Sequence, residues 1–199
     1  MRAKGFVFAL MMAVATGCGS DTKTESSGQA SNQVNDNNTF RLSKEDLLGT
    51  WSSGCVLDPK RLGIYVKEYL QYDVDQVNRL TTSYFDRACS AEFFQQNLAS
   101  TYQFSNQGVY TESRTSVALT VQSSNGIGMF NSGGGYCQVK DWKVNEEKTF
   151  ADVTVCGINV DVKISLKAEV QGSETSLNAR ECEPRNPRDC TEMNYTRAN

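Results

Sequence analysis

Residues 158–170 read INVDVKISLKAEV and alternate apolar and polar side chains along their whole length. The apolar members are Ile158, Val160, Val162, Ile164, Leu166 and Ala168. Successive side chains of a β-strand point to opposite faces of the sheet, so a period of two predicts a strand with one buried and one solvated face. This segment indicates a β fold.

The same β character continues on both sides of this segment. Alternating or β-branched runs, separated by turn residues, predict strands at 48–57, 63–73, 77–86, 100–105, 108–122, 126–131, 135–145, 149–156, 158–170, 174–181 and 191–197. So many short strands predict an all-β domain over residues 43–199, either an antiparallel barrel or a β-sandwich.

Turn and cap signals add detail to this strand pattern. Asn125-Gly126 predicts a hairpin, and Cys156-Gly157 predicts a tight turn that would pair 149–156 with 158–170. Helical structure is predicted in two places, a turn at 43–48 with Ser43 as its N-cap and a helix at 89–98.

The first eighteen residues have the pattern of an export signal. Arg2 and Lys4 precede an apolar run over residues 5–14, which is shorter than the about 20 residues that cross a bilayer and fits a signal-peptide core. The small residues before Cys18 resemble the lipobox of bacterial lipoproteins, which implies a signal peptide at 1–17 and a membrane anchor of fatty acyl chains such as palmitate on Cys18. Gly19, in place of an aspartate, implies the outer membrane by the same resemblance. The alternative is an ordinary secretory signal with an incidental cysteine.

Residues 18–42 are expected to form a lipidated cysteine followed by a flexible linker. The stretch is rich in Ser, Asn, Thr, Gln and Gly and contains few apolar residues. Such a composition buries too little apolar surface to offset the entropy of ordering, so a disordered tether is predicted.

The cysteine count agrees with export into an oxidising compartment. The chain has seven cysteines, Cys18, Cys55, Cys89, Cys137, Cys156, Cys182 and Cys190. Removing Cys18 leaves six, which predicts three disulfides out of fifteen possible pairings. Cys137 and Cys156 lie on neighbouring predicted strands and Cys182 and Cys190 flank a short loop with two prolines, which favours these two pairs.

The start of the first strand carries a family resemblance. Gly49-Thr50-Trp51 follows the predicted 43–48 turn and resembles the GxW motif of lipocalins and lipocalin-like bacterial lipoproteins. The resemblance implies an up-and-down barrel in which Trp51 closes the bottom and Arg197 lies across its ring. Residues 84–89 (YFDRAC) are similar to an element of some of these lipoproteins, which implies the pair Cys55–Cys89.

Composition narrows the function classes. The chain has 20 basic and 23 acidic residues without a basic cluster, which argues against nucleic acid as a partner, and it has no histidine. No catalytic motif, metal-ligand spacing or cofactor motif is recognisable, so we expect neither an enzyme nor a cofactor or metal. Asp73, Asp75 and Asn78 vaguely resemble a calcium loop, but its glycine and distal glutamate are missing, so an exposed turn is expected.

Two functions follow as expectations. The first is a lipid-anchored envelope protein whose barrel binds a small hydrophobic or amphipathic ligand at its open mouth. The alternative is a structural or protein-interaction module of the envelope without a small ligand, and the sequence names no protein partner. Tyrosines that could line a cavity are Tyr65, Tyr69, Tyr72, Tyr102, Tyr110 and Tyr136.

Overall fold

The computed structural model describes residues 42–198, apart from 106, 107, 172, 173, 184 and 185. The signal peptide, Cys18 and most of the linker lie outside the described residues. The elements in chain order are α1 (Lys44–Leu47), β1 (Gly49–Leu57), β2 (Tyr65–Tyr72), β3 (Gln76–Tyr84), β4 (Glu92–Phe104), β5 (Val109–Val121), α2 (Ser124–Asn131), β6 (Glu147–Phe150), a 3₁₀ turn (Val153–Cys156), β7 (Asp161–Gln171), β8 (Glu174–Glu183) and β9 (Asn186–Arg197).

Eight of the strands form a closed antiparallel barrel. Strands β1 to β5 pair consecutively, and β5 also pairs with β7. Strand β7 pairs with β8, β8 with β9, and β9 with β1, where Trp51 faces Arg197. Strand β6 is a ninth strand that pairs with the far half of β5. The all-β, up-and-down barrel prediction is confirmed, and closure of the sheet excludes the β-sandwich.

The two ends of the barrel are built differently. The helix end is the end at which α1, the start of β1 and the finish of β9 lie. The loop end is the opposite end, formed by residues 58–64, residues 85–91, the β8–β9 hairpin and the insertion between β5 and β7.

Strand β5 contains a β-bulge and pairs both with the barrel strand β7 and with β6 of the insertion. Its pairing with β4 shifts by one residue, because Ala99 faces Ser116 whereas Ser100 faces Arg114. The extra residue reverses which alternate side chains of β5 face inward. Glu112 before the bulge and Val117 after it are therefore both fully buried. The first half of β5 thereby pairs with β7 and the second half with β6.

Several local predictions were wrong, most of them in the insertion. Asn125-Gly126 does not form a hairpin, because it lies in α2, where the Ser123 side chain caps the helix by accepting from Gly126 N at 3.2 Å. Residues 135–145 form irregular chain with single bridges instead of a strand. Residues 149–156 do not pair with 158–170, since β6 pairs with β5 and the 3₁₀ turn follows.

The predicted helix at 89–98 was also wrong. Strand β4 begins at Glu92 and pairs with both β3 and β5 over most of its length. Long-range pairing on two sides outweighs a weak local helical preference. The predicted turn at 43–48 is confirmed as α1, with Ser43 as its N-cap in a capping box with Asp46.

Three disulfides hold the loop end. They join Cys55 to Cys89, Cys137 to Cys156 and Cys182 to Cys190, the same pairs that the sequence analysis favours. Cys137 and Cys156 pair although neither lies on a strand. Each disulfide stabilises a domain of this kind by about 2–4 kcal/mol, chiefly by restricting the unfolded chain.

The helix end is closed by stacking and backbone capping around Trp51. The Trp51 ring is fully buried, its Nε1 donates to the Leu47 carbonyl at 2.8 Å, and the Arg197 guanidinium lies 4.4 Å from the ring centroid. Arg197 also donates to the carbonyls of Leu48 and Asp46, so it ties β9 to α1. This is the Trp51–Arg197 contact that the lipocalin-like resemblance implies.

Gly49 is required at this closure, and its substitution gives the first prediction. Gly49 has φ +110, and a Cβ there would lie 2.9 Å from Arg197 Nη1. We expect Gly49→Ala to lower the free energy of unfolding by about 2–3 kcal/mol, from backbone strain and displacement of Arg197. Urea denaturation measures the change. Gly134→Ala is the control, because nothing lies within 4 Å of its Cβ position. Equal stability of the two variants would contradict the closure described here.

Candidate binding site in the barrel interior

The helix-end half of the interior is filled by buried apolar and aromatic side chains. They come from α1 and from strands on every side of the barrel, and include Leu47, Trp51, Leu70, Tyr72, Tyr110, Ile164, Leu177 and Tyr195, each at most 3% exposed. Close packing of this kind excludes a ligand from that half unless core residues move.

Five charged side chains form a layer toward the loop end, which we call the charged layer. Its members are Glu68 on β2, Arg79 on β3, Glu112 and Arg114 on β5, and Glu181 on β8. Strand alternation brings them together, as in β2, where Val66, Glu68, Leu70 and Tyr72 are buried while the residues between them are more exposed. On β2 the layer therefore interrupts an otherwise apolar buried face.

Glu112 is the centre of the charged layer. Its side chain is fully buried. Oε1 accepts from Ser100 Oγ at 2.9 Å and from Arg114 Nε at 3.2 Å. Oε2 accepts from Tyr110 Oη at 3.3 Å and from Arg79 Nη2 at 3.5 Å. Two guanidiniums and two hydroxyls thus surround one buried carboxylate.

Glu68 and Glu181 complete the layer on either side. Glu68 accepts from Thr81 Oγ1 at 3.1 Å and from Tyr195 Oη at 2.6 Å, and lies 3.6 Å from Arg79 Nη1. Both Glu181 oxygens lie 2.9 Å from Arg114 Nη2. The side chain of Glu181 is 28% exposed, the highest of the five, so it is the member that a molecule in solvent can most readily contact.

The layer has three carboxylates and two guanidiniums. Burial raises the pKa of Glu112, but Arg79 and Arg114 outweigh this effect and hold the pKa below its ordinary value. Burial disfavours the charged form of Arg79 and lowers its pKa. The carboxylates of Glu112 and Glu68 raise that pKa by more, so it lies above its ordinary value. Glu112 and Arg79 therefore stay charged near neutral pH. The formal charge of the five groups is one negative, which favours a positively charged or hydrogen-donating molecule beside them.

Three of the six tyrosines named from the sequence meet beside this layer. Tyr72, Tyr102 and Tyr110 make edge-on contacts, with ring centroids 5.5 to 6.2 Å apart, and the hydroxyls of Tyr72 and Tyr110 are 2.9 Å apart. Tyr65 and Tyr69 are only partly buried and lie at the alternate positions of β2, away from the interior. Tyr136 belongs to the aromatic cluster of the insertion with Phe94, Phe130 and Trp142.

No motif in the sequence marks the five members of the charged layer. A signal was present, since Glu68 occupies an apolar position of the alternating run YVKEYLQY. No local pattern indicates that five such residues from four strands share one level of the barrel.

A groove of about 710 Å³ lies at the helix end, outside the packed interior. Leu42, Tyr102 and Phe104 are its apolar lining, with Ser43, Lys44, Glu45, Asp75 and Gln103 around them. Lys44 Nζ lies 2.7 Å from Asp75 Oδ1 and 5.5 Å from the Tyr102 ring centroid. Asp75, part of the weak calcium-loop pattern, is therefore paired with a lysine, and the described residues contain no cluster of three or more potential metal ligands.

No protein-family model matches the chain, and a search of curated proteins finds no match. Among the residues that the structure describes, no helix has the length and apolar character needed to span a membrane. The fold defines an antiparallel, disulfide-linked β-barrel protein with eight strands in the closed sheet and one outside it. This architecture is compatible with a lipocalin-like domain.

Removing the central carboxylate gives the second prediction. We expect Glu112→Gln to lower the free energy of unfolding by about 1–3 kcal/mol, because both guanidiniums lose the carboxylate that they share while Arg79 keeps Glu68 and Arg114 keeps Glu181. Glu192→Gln is the control, since Glu192 is 58% exposed and lies 3.5 Å from Arg180 in an exposed ion pair, and should change stability by less than about 0.5 kcal/mol.

The difference in unfolding free energy between the wild type and Glu112→Gln is predicted to depend on pH. Because the folded-state pKa of Glu112 is lowered, its ionised form stabilises the fold at pH values above the unfolded pKa of about 4.5. That contribution is lost as the pH falls below this value and through the folded-state pKa. The unfolding free energies of the wild type and Glu112→Gln should converge there, and a constant difference down to pH 2 would contradict the assignment.

Proposed function

We propose that this chain is an envelope protein held to a membrane by acyl chains on Cys18, with a barrel that binds a small amphipathic ligand at the charged layer. Support for the anchor comes from the leader and lipobox pattern of residues 1–18. Support for binding comes from the barrel and from the charged layer inside it. An outer-membrane address follows from the resemblance at Gly19 alone.

The single observation that carries the binding proposal is the layer of five charged groups within the barrel, of which Glu68 and Glu112 are buried and the other three are partly buried. Buried ion pairs are expensive to desolvate, and apolar residues of similar size often serve stability equally well or better. A charged layer at this position therefore favours a role beyond stability. Its excess carboxylate suits the polar head of a ligand that carries a positive charge or several hydrogen-bond donors.

The packing also indicates where the apolar part of the ligand lies. The helix-end half is filled, so a wholly hydrophobic ligand deep in the barrel is disfavoured. On the loop-end side, Leu98 and Val117 belong to a second apolar cluster that includes the partly buried Ile64 and Tyr136. We propose that an acyl or similar chain packs against the partly buried members of this cluster and that its head group lies at Glu181.

Lipidation of Cys18 is the third prediction. Expression of the full chain in a Gram-negative host with an alkyne fatty acid should label the mature protein, and mass spectrometry should place the acyl groups on an N-terminal Cys18. Cys18→Ser should abolish the label while leaving the barrel folded. A mature protein that begins at another residue would contradict the anchor without affecting the barrel.

Ligand binding is the fourth prediction, tested with three probes that share a twelve-carbon chain: dodecylamine, dodecanol and laurate. Calorimetric titration below the aggregation concentration of each probe should show dodecylamine binding most tightly, because only its head group complements the excess carboxylate. Glu181→Gln should weaken dodecylamine binding at least five-fold, and Glu192→Gln should leave it unchanged. Equal affinity for all three probes, or no binding, would contradict a charged-layer site.

A second candidate function is a protein-interaction module, and the loop end favours it. All three disulfides lie there, and Leu62 at the tip of the β1–β2 loop is fully exposed. Rigid loops lower the entropic cost of binding a shaped partner. Failure of every amphiphile probe, with the barrel intact, would favour this candidate.

A further inference from the structure

Arg79 is held less closely than Arg114, the other arginine of the charged layer. Its Nη2 lies 3.5 Å from Glu112, and its Nη1 lies 3.6 Å from Glu68 and 3.8 Å from Glu181. Arg114 lies 3.2 Å from Glu112 and 2.9 Å from Glu181. Hydrogen bonds between a guanidinium and a carboxylate are typically about 2.7–2.9 Å long. The three contacts of Arg79 are therefore long for its charge.

Arg79 also has a buried nitrogen without a hydrogen-bond partner. Its Nε is enclosed and finds no acceptor in the part of the chain that the structure describes. A buried donor that lacks an acceptor costs free energy, and a guanidinium has five N–H donors to satisfy. The protein therefore leaves hydrogen-bonding capacity of Arg79 unused, and a turn of the guanidinium toward a new acceptor breaks only long contacts.

Arg79 and Glu181 are the two most exposed members of the charged layer. Their side chains are 14% and 28% exposed, compared with at most 11% for the other three. Arg79 Nη1 and Glu181 Oε2 are 3.8 Å apart, which is too far for a direct hydrogen bond. Oε2 accepts from Arg114 Nη2 at 2.9 Å, and a carboxylate oxygen has two lone pairs. A donor and an acceptor thus lie side by side, with a gap between them, where solvent reaches the layer.

We propose that the barrel ligand is a long-chain amine with an oxygen on the adjacent carbon, whose ammonium group donates to Glu181 Oε2 and whose oxygen accepts from Arg79 Nη1. The inference rests on the proposed amphiphile site and specifies the chemistry of its head group, which is that of an amino alcohol. A nitrogen and an oxygen on adjacent carbons lie close together in the gauche conformation, which matches a donor and an acceptor 3.8 Å apart. A simple amine displaces water from Arg79 without supplying an acceptor, so it loses a hydrogen bond that the amino alcohol retains.

The head group is the subject of the fifth prediction, which compares twelve-carbon amines by calorimetric titration. We call the amine with a hydroxyl on the adjacent carbon the vicinal amino alcohol, and its isomer with the hydroxyl at the far end of the chain the terminal isomer. The vicinal amino alcohol should bind about five-fold more tightly than dodecylamine, because only its oxygen satisfies Arg79. Its methyl ether should retain this advantage, since the ether oxygen still accepts a hydrogen bond. The terminal isomer should bind no more tightly than dodecylamine.

Substitution of Arg79 tests the second half of the contact. Arg79→Met removes the donors at similar side-chain length, and should bring the affinities of the vicinal amino alcohol and dodecylamine to within about two-fold of each other. Both affinities are measured on the same variant, so the altered charge of the layer affects both ammonium groups alike. Arg180→Met is the matched control, because Arg180 is 53% exposed and pairs with Glu192, and it should preserve the advantage. Circular dichroism verifies that each variant is folded, and the methyl ether comparison needs the wild type alone.

The outcomes separate this inference from the site on which it rests. Dodecylamine binding with no gain from the adjacent oxygen would mean that water bridges the gap, and would overturn the inference while the amphiphile site stands. Loss of the advantage in the methyl ether, or its survival in Arg79→Met, would overturn the inference as well. Failure of every amine to bind would refute both the inference and the site.

Discussion

Closure of the sheet between β1 and β9 is the constraint on which the rest of the structure depends. Two residue pairs, Trp51 with Arg197 and Ser52 with Thr196, join these strands, and the Ala198 N–H donates to the Thr50 carbonyl beside them at 3.0 Å. Arg197 reinforces this short seam by stacking on Trp51 and by donating to two carbonyls of the α1 region. Without the seam, the interior face would become the open face of a sheet, and the charged layer would have no enclosing wall.

Closure has an electrostatic consequence. Once the barrel is sealed, Glu112 loses water and depends on Arg79, Arg114, Ser100 and Tyr110 for its partners. Each partner comes from β3, β4 or β5, so register along these three strands decides whether the carboxylate is satisfied. The β5 bulge is part of that register, because it sets where Arg114 falls relative to Ser100.

The two ends of the barrel are stabilised by different interactions. The helix end relies on packing around Trp51 and on the α1 cap, whereas the loop end relies on three disulfides and on the aromatic cluster of the insertion. Disulfides suit a loop-rich region because they restrict the unfolded chain. The three disulfides constrain loops at the end of the barrel opposite to α1.

The sequence by itself determined the features that depend on neighbouring residues or on residue type. Period-two alternation predicted β7, Ser43 predicted the helix cap, the even cysteine count predicted three disulfides, and the resemblance of Gly49-Thr50-Trp51 to a GxW motif implied the start of the barrel. These features depend on near neighbours or on residue type. Tertiary structure decided that Asn125-Gly126 lies in a helix and not in a hairpin, and that residues 92–104 form a strand. It also decided that five charged residues lie at one level of the barrel: Glu68, Arg79, Glu112, Arg114 and Glu181. Those outcomes depend on which strands become neighbours across a closed sheet, and that pairing is set by the free energy of the whole barrel, which no short stretch of sequence contains.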